Sequence, residues 1–262
     1  MDVEHDRPQV GFTSELGLHV AVGDEPETLA GHAEIAPELC IPEAGTLRPS
    51  VLLTWADILT GSLANERTLP KICMTVDLGV RVAGPIAAGS EIAAVGRILK
   101  SGRTVSFTET TFSAAGAEGR DEIVAISLGT FVASPRPQDT AISAFAAVTT
   151  RERATRRPPA TVAEMLGSSV VAPGVVEVPR SPRILNWADT VQGGAVAAAA
   201  EEAVLALDGP SVPVELEVRY LGAVRVGPMR AIARRFGEWM RVEVHDVGND
   251  DRLVAVATAR GA

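Results

Sequence analysis

Apolar and polar positions alternate in short runs along most of this chain, and each run is closed by glycine, proline or a charged turn. Period-two alternation of this kind marks half-buried strands. In the first half it predicts strands over 16–22 and 28–35, parted by Gly23-Asp24-Glu25-Pro26, and four more over 74–82, 91–99, 104–113 and 122–133. The later breaks are Gly84-Pro85 with Gly89, Ser101-Gly102-Arg103, and the turn at 117–120. One stretch has another rhythm. From Leu47-Arg48-Pro49-Ser50 to Gly61 the residues suit a helix, because a proline in the first helical turn gives up an N–H that would be unpaired anyway.

The second half returns to the same order. A short helix is predicted over 161–166, a strand over 175–178, a loop over 184–191, and strands over 214–220, 229–236, 239–247 and 253–259. Between them lies Gly193-Gly194-Ala-Val-Ala-Ala-Ala-Ala-Glu201-Glu202-Ala-Val-Leu, a strong helix by composition. It carries almost no polar side chain before Glu201, so it should be buried all round, the kind of thin helix a curved sheet can wrap. Glu201-Glu202 reads as the solvated end of that helix.

The halves also match residue by residue. Val76-Asp77-Leu78-Gly79-Val80-Arg81 aligns with Val214-Glu215-Leu216-Glu217-Val218-Arg219 at an offset of 138 (215 − 77), and Gly84 and Gly89 align with Gly222 and Gly227. On the helices the offset is 144 (201 − 57), pairing Arg48-Pro49-Ser50 and Asp57 with Gln192-Gly193-Gly194 and Glu201. The six extra residues are expected in a longer connection over 64–73. The segment 134–159 is rich in proline, serine, threonine and arginine and reads as a linker. The expected organisation is therefore two copies of one α+β unit, over 1–140 and 161–262, with a linker over 141–160.

Composition narrows the function classes. The chain is 262 residues long with a net charge of −9, which argues against a nucleic-acid partner. No apolar run is long enough for a membrane span, and the polar start is unlike a signal peptide. Cys40 and Cys73 belong to no paired motif, which suits reduced thiols in the cytoplasm. His5, His19, His32 and His245 show no metal-ligand spacing, so no metal or cofactor is expected.

The order of elements and the motifs around the second helix resemble the hotdog-fold thioesterases, in the acyl-CoA branch that includes the phenylacetate-pathway and 4-hydroxybenzoyl-CoA types. The family pattern has an asparagine, a His-Gly-Gly seven residues on, and a carboxylate eight residues past the first glycine. Here Asn186 and Gly193 are seven apart (193 − 186), and Gly193 and Glu201 are eight apart (201 − 193), with Gln192 in the histidine's place. In the first half only the carboxylate, Asp57, remains, since Pro42, Pro49 and Ser50 hold the other places. The family's hydroxyl residue before Val-Asp is present as Thr75 in the first half and replaced by Pro213 in the second.

The resemblance implies a double hotdog, with two antiparallel sheets each wrapping a central helix and joined as one continuous sheet. Glycine and carboxylate on one helix stand about 12 Å apart at the usual rise, too far to act on one carbon. In the paired fold the opening of one helix faces the middle of the other. One composite site would then combine Asn186, Gln192, Gly193 and Gly194 with Asp57 and Thr75. The opposite set of Pro42, Pro49, Ser50, Glu201 and Pro213 would be a decayed site with no donor or hydroxyl facing Glu201. The implied activity is hydrolysis of an acyl-CoA thioester, with Asp57 as base or nucleophile, the Gly193 amide as oxyanion donor, Thr75 and Asn186 orienting the carboxylate or water, and Gln192 and Gly194 lining the substrate. A homodimer is the expected assembly. The alternatives are a catalytically silent acyl-CoA-binding or assembly protein and a hotdog-type enoyl-CoA hydratase, the latter disfavoured because no histidine lies near either helix.

Overall fold

The computed structural model describes residues 11–115, 121–137, 157–186, 188–209 and 212–261. The first half runs α1 (Phe12–Glu15), β1 (His19–Val22), β2 (Thr28–Glu34), a small hairpin of β3 (Cys40–Ile41) and β4 (Thr46–Leu47), α2 (Pro49–Thr68), β5 (Lys71–Val82), β6 (Glu91–Ser101), β7 (Val105–Ala115) and β8 (Asp121–Pro137). The second runs α3 (Val162–Leu166), β9 (Ser169–Ala172), β10 (Val175–Val178), α4 (Gly193–Leu205), β11 (Pro213–Tyr220), β12 (Met229–Phe236), β13 (Trp239–Asp246) and β14 (Arg252–Gly261).

Three expectations change. The first strand starts at His19 rather than at position 16, because Leu16 and Leu18 are buried in the link from α1. Strand β9 was not predicted: all four of its residues are exposed at the sheet edge, so no face is written into its sequence. Helix α2 continues to Thr68, so the six extra residues lengthen the helix and β5 instead of making a loop. It stops there because Pro70 pushes Leu69 out of helical geometry. The turn at 117–120 and positions 141–156 of the linker lie outside the described residues.

Twelve strands form one sheet in the order β1-β2-β6-β7-β8-β5-β11-β14-β13-β12-β10-β9, six from each half. Every pairing in it is antiparallel. The halves meet where β5 pairs β11, in a register that sets Gly79 opposite Glu217. Those two positions differ by 138 (217 − 79), the repeat offset, so a pseudo-two-fold axis passes between them. The motif that revealed the repeat is also the seam that joins it.

Inside the curve lie α2 and α4, each buried on nearly every side. Trp55 of α2 is fully buried and donates its indole N–H to the Leu16 carbonyl at 3.2 Å. The helix lies close to the sheet: a Cβ at Gly96 of β6 would stand 2.8 Å from the Leu59 side chain. On the other side, the alanines of α4 give β10 to β14 the same close approach. The turn after β11 supports the chain entering α4. Buried Asp246 accepts the N–H groups of Arg225, Val226 and Gly227 at 2.8, 3.2 and 2.6 Å, and the neighbouring Val224 carbonyl accepts from Val191 at 3.1 Å. No helix among the described residues is long and apolar enough to cross a membrane.

Candidate active site

The pseudo-symmetry brings each helix opening against the middle of the other helix, and the two crossings differ. At the first, the opening of α2 meets Glu201 of α4. The Glu201 carboxylate accepts the Ser50 N–H at 3.1 Å, the Ser50 hydroxyl at 2.6 Å and the Arg48 Nε–H at 2.6 Å, while Arg48 Nη1 lies 2.6 Å from Glu202. Glu201, Ser50 and Arg48 are 0%, 1% and 2% exposed. This corrects the expectation of a solvated helix end and of a carboxylate with no donor before it. Ser50 supplies both an N–H and a hydroxyl, and Glu201 fills the space a substrate would need. The sealed crossing ties the two units together through a buried, fully engaged carboxylate.

At the second crossing the opening of α4 meets α2. A Cβ on Gly194 would fall 2.4 Å from Thr54 Oγ1, so only a bare backbone fits. Thr54, Asp57 and Gly61 lie three and four residues apart and share one face of α2. Asp57 is half-buried and accepts the Thr75 hydroxyl on Oδ1 at 2.7 Å, across from α2 to β5. No arginine or lysine among the described residues pairs with it. Burial pushes its carboxyl above the usual carboxylate range, and the Thr75 hydroxyl draws it part of the way back.

The backbone of α4 presents the donors. Gln192 is the N-cap residue, with an extended backbone and no side-chain cap bond. Its carbonyl takes the Ala195 and Val196 N–H groups at 3.1 and 3.2 Å, whereas those of Gly193 and Gly194 meet no acceptor among the described residues. Helix-start N–H groups add the positive end of the helix dipole, and both effects suit a negative oxygen. The sealed crossing shows what such a group can do. Ser50 is the counterpart of Gly194 (194 − 50 = 144), and its N–H holds a carboxylate oxygen.

Of the residues singled out in the sequence, Thr75 contacts Asp57, and Gly194 lies against Thr54, one turn before Asp57. Gln192 and Gly193 lead into that contact and are half-buried. Asn186 is employed elsewhere. Its Oδ1 accepts the Ala188 N–H, the Thr190 N–H and the Thr190 hydroxyl at 2.9, 3.2 and 3.1 Å, which folds the loop before α4 into a tight turn. Sequence reasoning missed Tyr220, the chain's single tyrosine. Its hydroxyl donates to the Gly193 carbonyl at 3.0 Å, and burial with the charges of Asp57 and Asp77 holds its phenol well above the ordinary range. Its uniqueness was the available signal. Arg48 was missed as well, since an arginine before a proline carries no mark of burial.

A continuous antiparallel sheet around two crossed central helices is a double hotdog. Residues 44–118 match the family model described as Thioesterase superfamily. Among solved structures the chain is similar to a 12:0-ACP thioesterase from Umbellularia californica, with 12% identity and a TM-score of 0.65 over 92% of this chain and 99% of that one. It is also similar to an acyl-ACP thioesterase from Bacteroides thetaiotaomicron, with 11% identity and a TM-score of 0.61 over 92% and 100%. A comparison with curated proteins gave no match. The chain has the hotdog fold of these structures, and the stretch over 44–118 matches the thioesterase superfamily model.

Three outcomes follow from the crossings. Glu201→Gln leaves Arg48 with Glu202 as its one carboxylate partner and weakens the acceptor of the Ser50 N–H and hydroxyl. It should destabilise the protein by about 1–3 kcal/mol, read as a fall in Tm, while activity per folded molecule is kept. Gly194→Ala should lower both Tm and turnover, because the added carbon overlaps Thr54, at a cost of about 1–3 kcal/mol. Gly193→Ala should be milder than the sequence suggested, since its Cβ would meet only the Tyr220 ring and hydroxyl at an ordinary 3.5 Å.

Proposed function

We propose that the protein hydrolyses an acyl-CoA thioester at a single composite site formed by Asp57 and Thr75 from the first unit and the α4 opening from the second. One observation carries this reading. Of two pseudo-equivalent carboxylates, Glu201 is sealed and paired with arginine, whereas Asp57 is half-buried and has only a hydroxyl partner among the described residues. A buried carboxylate without a cation is costly to ionise, and such a group beside free backbone donors suits catalysis better than support.

In the proposed reaction the thioester carbonyl oxygen sits against the N–H groups of Gly193 and Gly194, which stabilise the oxyanion as it forms; one such donor is typically worth about 3 kcal/mol. Thr75 occupies Oδ1 of Asp57, so Oδ2 is the oxygen that takes a proton from water or attacks the carbonyl. Gln192 and Gly194 line the substrate, and Asn186 acts by shaping the turn that leads to them. The organisation is two units, 1–140 and 161–262, joined by a linker over 141–160. Free Cys40 and Cys73 fit a cytoplasmic setting. The assembly is a homodimer, supported by the apolar outer face of the first sheet half, where Phe107, Ile126 and Leu128 are 47%, 40% and 45% exposed.

The function is tested by following thiol release from a panel of acyl-CoAs, with acyl-ACP thioesters included because two structural neighbours bear that name. Turnover is expected with acyl-CoA. Binding without thiol release would leave a silent acyl-CoA-binding protein, and hydration of crotonyl-CoA would point to the hydratase. A single turnover in ¹⁸O-water tests for a nucleophile. A mixed anhydride with Asp57 that water opens at the Asp57 carboxyl carbon gives an unlabelled product and a labelled Asp57, whereas a general base puts the label in the product. Light scattering at micromolar concentration should give the mass of two chains, and a monomer would reject the dimer.

Asp57→Asn should lower kcat by about 10²–10⁴-fold. It should also raise stability at neutral pH. Asp57 has a folded pKa above its unfolded one, so the penalty for its charge is absent below the unfolded pKa and complete above the folded pKa. The stability advantage of the asparagine variant should therefore fade as pH falls through the Asp57 pKa. The acid limb of wild-type activity should lie above the ordinary carboxylate range for the same reason.

A further inference from the structure

The hydroxyl of Tyr220 and the backbone N–H of Gly194 sit at opposite ends of one peptide unit. Tyr220 donates to the carbonyl of Gly193, and the peptide bond carries that carbonyl and the Gly194 N–H in one plane, pointing in opposite directions. A bond made at the carbonyl therefore fixes where the N–H points. It also polarises the peptide, making its N–H a stronger donor, an effect of about 10–30% per bond.

We propose that Tyr220 is a positioning residue for thioester hydrolysis, which holds and polarises the Gly193–Gly194 peptide so that the Gly194 N–H meets the oxyanion. The inference rests on the proposed thioesterase reading and deepens it. Three features lead to it beyond the single bond. The ring lies 3.5 Å from where a Gly193 Cβ would be, so phenol and peptide are packed together and cannot swing independently. The counterpart of Tyr220 in the repeat is Val82 (220 − 82 = 138), which has no hydroxyl, and at the sealed crossing the Ser50 N–H is already spent on Glu201. Finally, burial and the nearby charges of Asp57 and Asp77 keep the phenol protonated, so it remains a donor while Asp57 is ionised.

Removing the hydroxyl with Tyr220→Phe keeps the ring that packs on α4. The expected result is a fall in kcat of about tenfold, equivalent to about 1.4 kcal/mol of barrier, with KM within twofold and Tm nearly unchanged. The Gly194 amide proton should move upfield in the NMR spectrum as its peptide loses polarisation. A second probe does not depend on a substitution. Because Tyr220 is the single tyrosine, biosynthetic 3,5-difluorotyrosine changes this hydroxyl alone. The more acidic phenol should move the alkaline fall in kcat to lower pH, which a packing role would not do. An active Tyr220→Phe enzyme with kcat within twofold, a loss confined to KM, or an unmoved Gly194 amide would overturn the proposal. A wild-type protein that releases no thiol from any substrate would instead reject the thioesterase reading itself.

Discussion

A helix opening pressed against a carboxylate on the neighbouring helix is the contact on which this fold turns, and the pseudo-two-fold axis makes it occur twice. Each crossing sets a helix opening against the helix that carries a carboxylate, meeting Glu201 itself at one and Thr54, one turn before Asp57, at the other. Such a carboxylate has two stable outcomes: it accepts every donor in reach and becomes part of the frame, or it stays under-partnered and chemically available. Glu201 takes the first course, with Arg48 and Ser50 supplying the partners. Asp57 takes the second, with Thr75 as its one hydrogen-bond partner among the described residues.

The difference between the two is small in covalent terms. Glutamate is one methylene longer than aspartate, and on the sealed side that reach closes the gap to the Ser50 N–H. Arginine at position 48 then neutralises the charge, where Gln192 stands in its place at the open crossing. Glycine at 194 and serine at 50 add to the contrast. The glycine lets α4 approach Thr54 with nothing between, while the serine turns its hydroxyl onto the carboxylate.

Much of this was legible in the sequence, and the reasons are physical. Strands buried on one face write their alternation into the chain, so 175–178 and 229–236 were bounded correctly. The offset of 138 identified the repeat, and the β5–β11 seam centres on one equivalent pair, Gly79 and Glu217. Edge strand β9 left no such trace, having no buried face. At the crossings, spacing along the chain singled out the carboxylates, which repeat, and the glycines, which stand in the second half. It could not show that Arg48 folds inward to Glu201, since an arginine is usually a surface residue and only the partner's position reveals the pairing. Tyr220 was hidden for a related reason: its role depends on a carbonyl 27 residues away in the chain.

The sealed crossing also explains how the open one can be held in place. A half-buried carboxylate without a cation adds little stability, so at the open crossing the packing of Gly194 on Thr54 is what fixes the two helices. The ion pair and hydrogen bonds at Glu201 do that from the other side of the axis, with the β5–β11 seam between them. Because both crossings belong to the same pair of helices, fixing one restricts the other. A carboxylate that is costly to bury can persist at one crossing when its two-fold mate supplies the rigidity, which is a reason for a fused pair to retain both.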